Sequence, residues 1–425
     1  MSGCEAKVPA LRFKGHPGSW ERKRLGDEVS FSKGKGYSKS DISATGMPLF
    51  LYGRLYTDYQ AEVDDVDTFT QLQKGSVLSN GGEVVVPGSG ETPEDIARAS
   101  AILSRGIILG GDLNILTPKD LEETYSPFLA LSLSNGRTSL QIADRAQGKT
   151  VVHIHNSDLE NIQVAFPSLP EQRRIGTFFR SLDALIAGRE KALEKLELLK
   201  KSMLLKMFPQ GDATVPEVRF KGFAGDWEKK RLGDSFNLDV STNTLSRAEL
   251  SQTGMVRNVH YGDVLIKYGS IVDVSNEAIP FIADCQFKCD RKNKLMDGDV
   301  IMADTAEDET AGKVTEIRGI GDELLVSGLH TIVLRPNEKY GDGFLGYCLN
   351  APGYHESLSS VMQGSKVLSI NKGVLSDTNF LAPSLPEQQK IGAYFRSLDA
   401  LLASRREEIG KLKQMKKALL ERMFV

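Results

Sequence analysis

The sequence predicts an α/β (α+β) protein with two similar globular domains joined by two long helices that form an antiparallel coiled coil, the whole built as a pseudo-two-fold internal repeat. Three observations carry this expectation. A block near the start of the chain returns in its middle. A second block, in the middle, returns at the end. Both copies of that second block space their apolar residues at three or four positions, the signature of an amphipathic helix.

The first block is residues 8 to 27, VPALRFKGHPGSWERKRLGD, which recurs as residues 215 to 234, VPEVRFKGFAGDWEKKRLGD, at an offset of 207. The second is residues 169 to 208, which recurs as residues 385 to 424 at an offset of 216. Weaker landmarks survive between the blocks: Tyr52-Gly53 faces Tyr261-Gly262, Phe128-Leu129 faces Phe344-Leu345, and Gln147-Gly148 faces Gln363-Gly364. Pro167-Ser168 likewise faces Pro383-Ser384. A period this long is a duplicated domain rather than a solenoid. The expected boundaries are a first domain at 1–168, a central spacer helix at 169–208, a second domain at 209–384 and a C-terminal spacer helix at 385–425.

In the central helix Pro170 suits the opening turn, Glu171 complements the positive end of the helix dipole, and Lys200, Lys201 and Lys206 complement the negative end. The apolar stripe is Ile175, Phe179, Leu182, Ile186, Leu193, Leu196, Met203 and Met207 in the first copy. In the second it is Ile391, Phe395, Leu398, Leu402, Ile409, Leu412 and Met423. A stripe alone is satisfied by burial against the helix's own domain. About 35 helical residues at 1.5 Å each reach roughly 50 Å, however, farther than such a domain is wide, so the other copy is the natural packing partner. Arg189 and Arg405 interrupt the stripes at equivalent places; interface switches or register pins are open readings, and arginines whose heads reach water are the favoured one.

The parts between the blocks read as mixed α/β with short strands, for example Gly262 to Ile266, Gly298 to Met302 and Thr331 to Leu334. Helical spacing appears at Phe128 to Leu133 and at Phe344 to Leu349. The second such part is nine residues longer, so the domains are related without being interchangeable.

At 425 residues, 40% of them hydrophobic and 26% charged, the chain can bury more than one core. No run approaches the roughly 18 apolar residues of a membrane helix, and the opening residues lack the apolar core of a secretory signal, so the expected compartment is the cytoplasm. The net charge of −3 is unevenly spread, at −4, +4, −7 and +4 over the four segments in order. Nucleic-acid contact would therefore come from local patches and not from a global field. Of the four cysteines only Cys285 and Cys289 are close, and no second Cys/His pair accompanies them, so ordinary thiols are expected and no metal.

A search for catalytic groups finds little. Ala143 to Thr150 fits a relaxed phosphate-loop pattern, but the alternating strand Val151-Val152-His153-Ile154-His155 follows where a helix is needed. His153 and His155 lack a carboxylate or cysteine cluster, and the second copy has Ser369 and Asn371 there. The acidic run Asp304 to Glu309 reads as a solvated loop, facing Gly88-Ser89-Gly90-Glu91 in the first copy. No Asn-Pro dipeptide of an adenine methyltransferase and no helicase box occurs, so the chain is expected to catalyse nothing by itself and to carry no cofactor.

A polar, aromatic and basic mixture recurs early in each variable part, the composition expected where side chains meet base edges and phosphates. The first cluster is Lys33, Lys35, Tyr37, Lys39, Tyr52, Arg54, Tyr56 and Tyr59. The second is Arg257, Asn258, His260, Tyr261, Lys267 and Tyr268. Each residue taken alone suits an ordinary surface or packing role; two clusters at matching positions point to DNA.

With these blocks the chain resembles the specificity subunit of type I restriction-modification enzymes over essentially its whole length. The resemblance is carried by Pro-Ser-Leu-Pro-Glu-Gln with Arg-Arg-Ile-Gly (167 to 176) or Gln-Lys-Ile-Gly (383 to 392), and by Phe-Arg-Ser-Leu-Asp-Ala-Leu at 179 to 185 and 395 to 401. The openings at 20 to 27 and 227 to 234 add to it. It implies that each domain reads one half of a split, asymmetric double-stranded DNA target, while the helices set the gap and dock two methyltransferase subunits. It further implies restriction and translocation subunits in the full complex, with S-adenosylmethionine, ATP and magnesium held by those partners. The alternative is a duplicated, non-enzymatic scaffold holding two ligands apart, which would show no sequence-selective DNA binding.

Overall fold

The computed structural model describes residues 8–425 except Cys285 and Ser365; Cys4 also lies outside the described residues. The chain forms two compact units, one of residues 1–190 with 407–425, the other of residues 191–406.

In the first unit a five-stranded sheet runs in the order Val29–Lys33, Leu113–Pro118, Glu83–Pro87, Ser100–Ile102, Glu62–Val63. In chain order this is first, fifth, third, fourth, second, antiparallel throughout except for the last pair. The second unit repeats the same order and the same parallel edge with Phe236–Asn237, Thr331–Pro336, Val300–Ala303, Val314–Arg318 and Ile271–Asp273. The central strands are apolar on both faces because both faces are covered. Val84 and Val86 enter one core and Val85 the other, just as Val300 and Met302 separate from Ile301 and Ala303. The strands expected near Gly298 and Thr331 and the helices expected near Phe128 and Phe344 are present. The strand expected at Gly262 to Ile266 is instead a short helix, Tyr261–Ile266: the His260 ring accepts a hydrogen bond from the Gly262 N–H, and such capping starts a helix. Within the run read as a solvated acidic loop, Thr305–Ala306 is a short strand, and Glu307 to Glu309 are exposed.

The repeated blocks meet at the foot of each long helix. Glu21–Arg24 pairs antiparallel with Gln163–Phe166, and Glu228–Arg231 with Asn379–Ala382, so each domain's opening strand is zipped to the strand that feeds its helix. Arg12 grips Glu171 through two bonds of 2.6 and 2.7 Å, and Arg219 grips Glu387 through two of 2.7 and 2.8 Å. Both carboxylates are fully buried. Next to them Gln172 donates to the carbonyls of Pro167 and Glu123 and accepts from the Tyr125 N–H; Gln388 donates to Pro383 and accepts from the Gly341 N–H. The Pro-Glu-Gln signature is thus a buried polar lock in both copies, and Glu171 lies in the first turn while its charge is matched by Arg12.

The helices run Leu169–Lys206 and Leu385–Met423. In the first unit, Asp183 pairs with Lys416, Glu190 with Lys413 (2.7 Å) and Arg189 with Glu408 (3.3 Å), so the two helical segments there are antiparallel. In the second unit, Glu197 with Arg406 (2.6 Å) and Lys200 with Asp399 give the same sense. Every stripe residue named above is buried or half-buried, including Leu193, Leu196, Met203 and Leu412. Arg189 is therefore paired across the helices, and Arg405 is half-buried.

The stripe ends do more than line a helix seam. Ile175 and Phe179 lie in the first domain's core, and Ile391, Phe395 and Leu398 in the second's. Phe424, at the end of the C-terminal block, packs against Trp20, Phe128 and Phe179 with ring centroids 6.4, 5.8 and 6.2 Å apart. Its counterpart Phe208 meets Trp227, Phe344 and Phe395 at 5.9, 6.1 and 5.9 Å.

Glu171→Gln strands the largely buried Arg12 charge and is expected to destabilise the first unit by about 3 kcal/mol, whereas Arg12→Met with Glu171→Met recovers most of that loss. Denaturant unfolding followed by Trp20 fluorescence in a Trp227→Phe background reads the first unit alone. At Glu62, burial pushes the carboxyl up to about 7, against the opposing pull of the half-exposed Arg180. A raised folded pKa means that the native state binds this proton more tightly than the unfolded chain. The contribution is thus fully present below about pH 4.5 and is lost as pH rises through about 7. Glu62→Gln should raise the first unit's unfolding midpoint at pH 8 and leave it nearly unchanged at pH 5.

Candidate nucleic-acid interface

The two predicted clusters divide into side chains spent within their domains and side chains open to solvent. In the first domain, Arg54 is tied to Asp58 and Asp67, and the Tyr59 hydroxyl donates to the Ala99 carbonyl at 3.2 Å. Tyr37 has a left-handed backbone (φ 57°), and its hydroxyl accepts from the Gln73 N–H at 2.8 Å. Lys33, Lys35, Lys39 and Tyr52 are exposed. In the second domain, Asn258 and Tyr268 are buried. Arg257 pairs with Glu323 at 3.0 Å over the Phe281 ring, and Lys267 pairs with Glu277 at 3.0 Å. These internal partners explain much of each cluster without DNA.

Four of the predicted residues converge on a feature that composition did not mark. In the first domain, Ser89–Gly90 pairs with Val152–His153, and Asp112 stands beside them. The Ser89 hydroxyl donates to Asp112, and the Tyr56 hydroxyl donates to the Ser89 carbonyl at 2.5 Å. Lys33 is close enough to feel Asp112: partial desolvation pulls its pKa below the ordinary lysine value, and the carboxylate acts in the opposite sense. In the second domain, Thr305–Ala306 pairs with Leu368–Ser369. His330 lies 3.5 Å from Asp304, edge-on to Tyr261 with ring centroids 5.3 Å apart, and Tyr261 in turn packs on His260 at 4.6 Å. Desolvation lowers the His260 pKa, which favours the neutral ring that caps the helix.

The backbones of the two places match bond for bond. Gly88 N–H donates to Asp112 (2.7 Å) as Asp304 N–H does to His330 (3.1 Å); Ile154 N–H donates to Gly88 (3.0 Å) as Ile370 N–H does to Asp304 (2.9 Å). Gln147 and His153 exchange backbone bonds, and so do Gln363 and Ser369. Asp112 (φ 60°) and His330 (φ 53°) both adopt the left-handed conformation, which costs a side-chain-bearing residue of order 1 kcal/mol.

The glycine-rich run that imitates a phosphate loop is the turn of this ribbon. Gly148 (φ 134°) and Gly364 (φ 120°) pass so close to the carbonyls of Val151 and Val367, 2.0 and 1.8 Å from where a Cβ would sit, that no other residue fits. His153 and His155 are exposed, and the turns present exposed Lys149 and Lys366. In the second domain the ribbon edges a polar cavity of 410 Å³ lined by Asp304, Thr305, His330, Gln363, Ser369 and Asn371. Cys289, half-buried, is the described member of the close cysteine pair; no group of three His, Cys, Asp or Glu residues among the described residues is placed to hold a metal ion. No described helix is long and apolar enough to cross a membrane.

Comparison with known proteins agrees with the duplication. A family model described as the type I restriction modification DNA specificity domain matches twice, at residues 17–198 and 224–414. The type I restriction enzyme MjaVIII specificity subunit of Methanocaldococcus jannaschii is 22% identical over 95% of this chain and 92% of its own length. The MjaIX specificity subunit of the same organism is 26% identical over 74% and 71%. In fold, the chain is similar to the crystal structure of the type-I restriction-modification system S subunit from M. genitalium, with a TM-score of 0.57 at 16% identity, covering 98% of this chain and 99% of that one.

Proposed function

The chain belongs to the type I restriction modification DNA specificity family, and from that premise we propose that its two domains each read one half of a split, asymmetric double-stranded DNA target. The observation that carries this reading is the internal one: one fold, built twice, with matching backbone platforms and different exposed side chains. Two readers of different sequence need that combination. The helices set the gap between half-sites and dock two methyltransferase subunits. In support, Leu185, Leu198, Leu199 and Leu205 on the central helix and Leu401 and Met415 on the C-terminal one are exposed apolar residues that their own units leave uncovered. The chain itself is non-catalytic. S-adenosylmethionine, ATP and magnesium belong to the methyltransferase and restriction partners in the cytoplasm.

Charge sets the limit on what the chain does alone. The domain segments at −4 and −7 repel phosphate, and Lys149 and Lys366 are local exceptions. Partner subunits therefore supply much of the backbone contact, and the lone chain should bind a DNA duplex weakly and with a shallow salt dependence. Tight binding that falls steeply with salt would contradict this. Mapping adenine methylation in cells with and without the chain should show the loss of one split motif; an unchanged map would overturn the specificity role and favour a scaffold.

A further inference from the structure

We propose that Asp112 in the first domain and His330 in the second are specificity-determining positions, each facing one base pair of its own half-site, with Ser89 and Asp304 orienting them from behind. This assignment rests on the reading above and names the side chains that would carry it. Four backbone hydrogen bonds, the strand register and a left-handed residue recur at both places. Such a platform is costly to keep in a core that has otherwise diverged. What changes is the hydrogen-bonding chemistry it displays. Gly88 becomes Asp304, Asp112 becomes His330, and His153 and His155 become Ser369 and Asn371.

A left-handed residue at the mouth of a strand turns its side chain out of the ladder, and both Asp112 and His330 are more than a third exposed. Asp112 is a pure acceptor already oriented by the Ser89 hydroxyl, so it suits the exocyclic amine of cytosine or adenine. The His330 imidazole, held between Asp304 and the Tyr261 ring, can donate from a ring nitrogen and so suits the acceptor edge of a purine. Exposed Lys149 and Lys366 on the adjoining turns are placed to take phosphates, which fix register and carry no sequence information.

Glycine and asparagine both tolerate the left-handed backbone, so Asp112→Gly and His330→Gly remove the side-chain hydrogen bond without straining the fold, while Asp112→Asn and His330→Asn keep a side chain but replace a pure acceptor or an imidazole with an amide that both donates and accepts. The full-length chain, expressed with its methyltransferase partners, is assayed by mapping methylated genomic sites, with thermal melting as the check on folding. The expected result is that each substitution relaxes one base position, by about ten- to a hundred-fold in preference, with the 112 and 330 variants acting on different halves of the motif. An unchanged motif in the glycine variants, relaxation of the same half by both sets, or loss of all methylation with unchanged melting would overturn the assignment. The two levels separate cleanly: if deleting the chain erases a split motif that the glycine variants preserve, only this assignment fails.

Discussion

The buried Arg12–Glu171 pair and its copy Arg219–Glu387 are the constraint on which the rest depends. Each ties the opening of a domain to the first turn of the helix that leaves it, across 159 and 168 residues of chain. The carboxylates stay in so dry a place only with both forks of their part-buried arginines engaged, because an unpaired carboxylate there would cost several kcal/mol. The same lock therefore holds the first turn of the helix against the opening of its domain. Gln172 and Gln388 finish the lock with backbone partners, and the zipped ribbon beside it closes the domain. Between opening block and helix the side chains have diverged, while the strand order and the ribbon turn are kept.

That divergence explains which parts of the molecule were legible in the sequence. Trp20 and Trp227, Phe208 and Phe424, and the Pro-Glu-Gln signatures recur because within each unit a residue of one repeated block packs on a residue of the other, Trp20 on Phe424 and Arg12 on Glu171, Trp227 on Phe208 and Arg219 on Glu387, so the architecture is legible in the self-similarity of the sequence. The helical stripes were readable for the same reason, although Ile175 and Phe395 turned out to serve domain cores as well as a helix seam. The run Gly262 to Ile266 looks like a strand in the sequence because it is too short for its period to decide, and the deciding contact is the ring of His260 reaching forward to a backbone amide.

The site was less legible. Composition drew attention to Arg54, Arg257 and Tyr268, whose side chains are engaged or buried inside their domains, because a sequence does not show which charges have internal partners. It did bring in Lys33, Tyr56, His260 and Tyr261, which gather at the ribbon platform. Asp112 and His330 carried no signal as residue types; their left-handed backbone is a property of the fold. The Gln-Gly landmark was visible at both turns, and its glycine is now explained by a carbonyl that leaves no room for a Cβ. Acidic domains with a few basic turns fit a reader that relies on partners for affinity and contributes discrimination itself.

The central claim is that sequence choice resides separately in each copy of one duplicated fold. It is tested most directly by building a chain in which residues 24–166 are replaced by residues 231–382, so that the second domain's variable part occupies both positions between unchanged locks. The methylated motif of that chain, mapped with the native methyltransferase partners, should have two identical halves, each matching the half lost when the second domain is altered. A motif whose halves still differ, or one unchanged from that of the natural chain, would contradict the account.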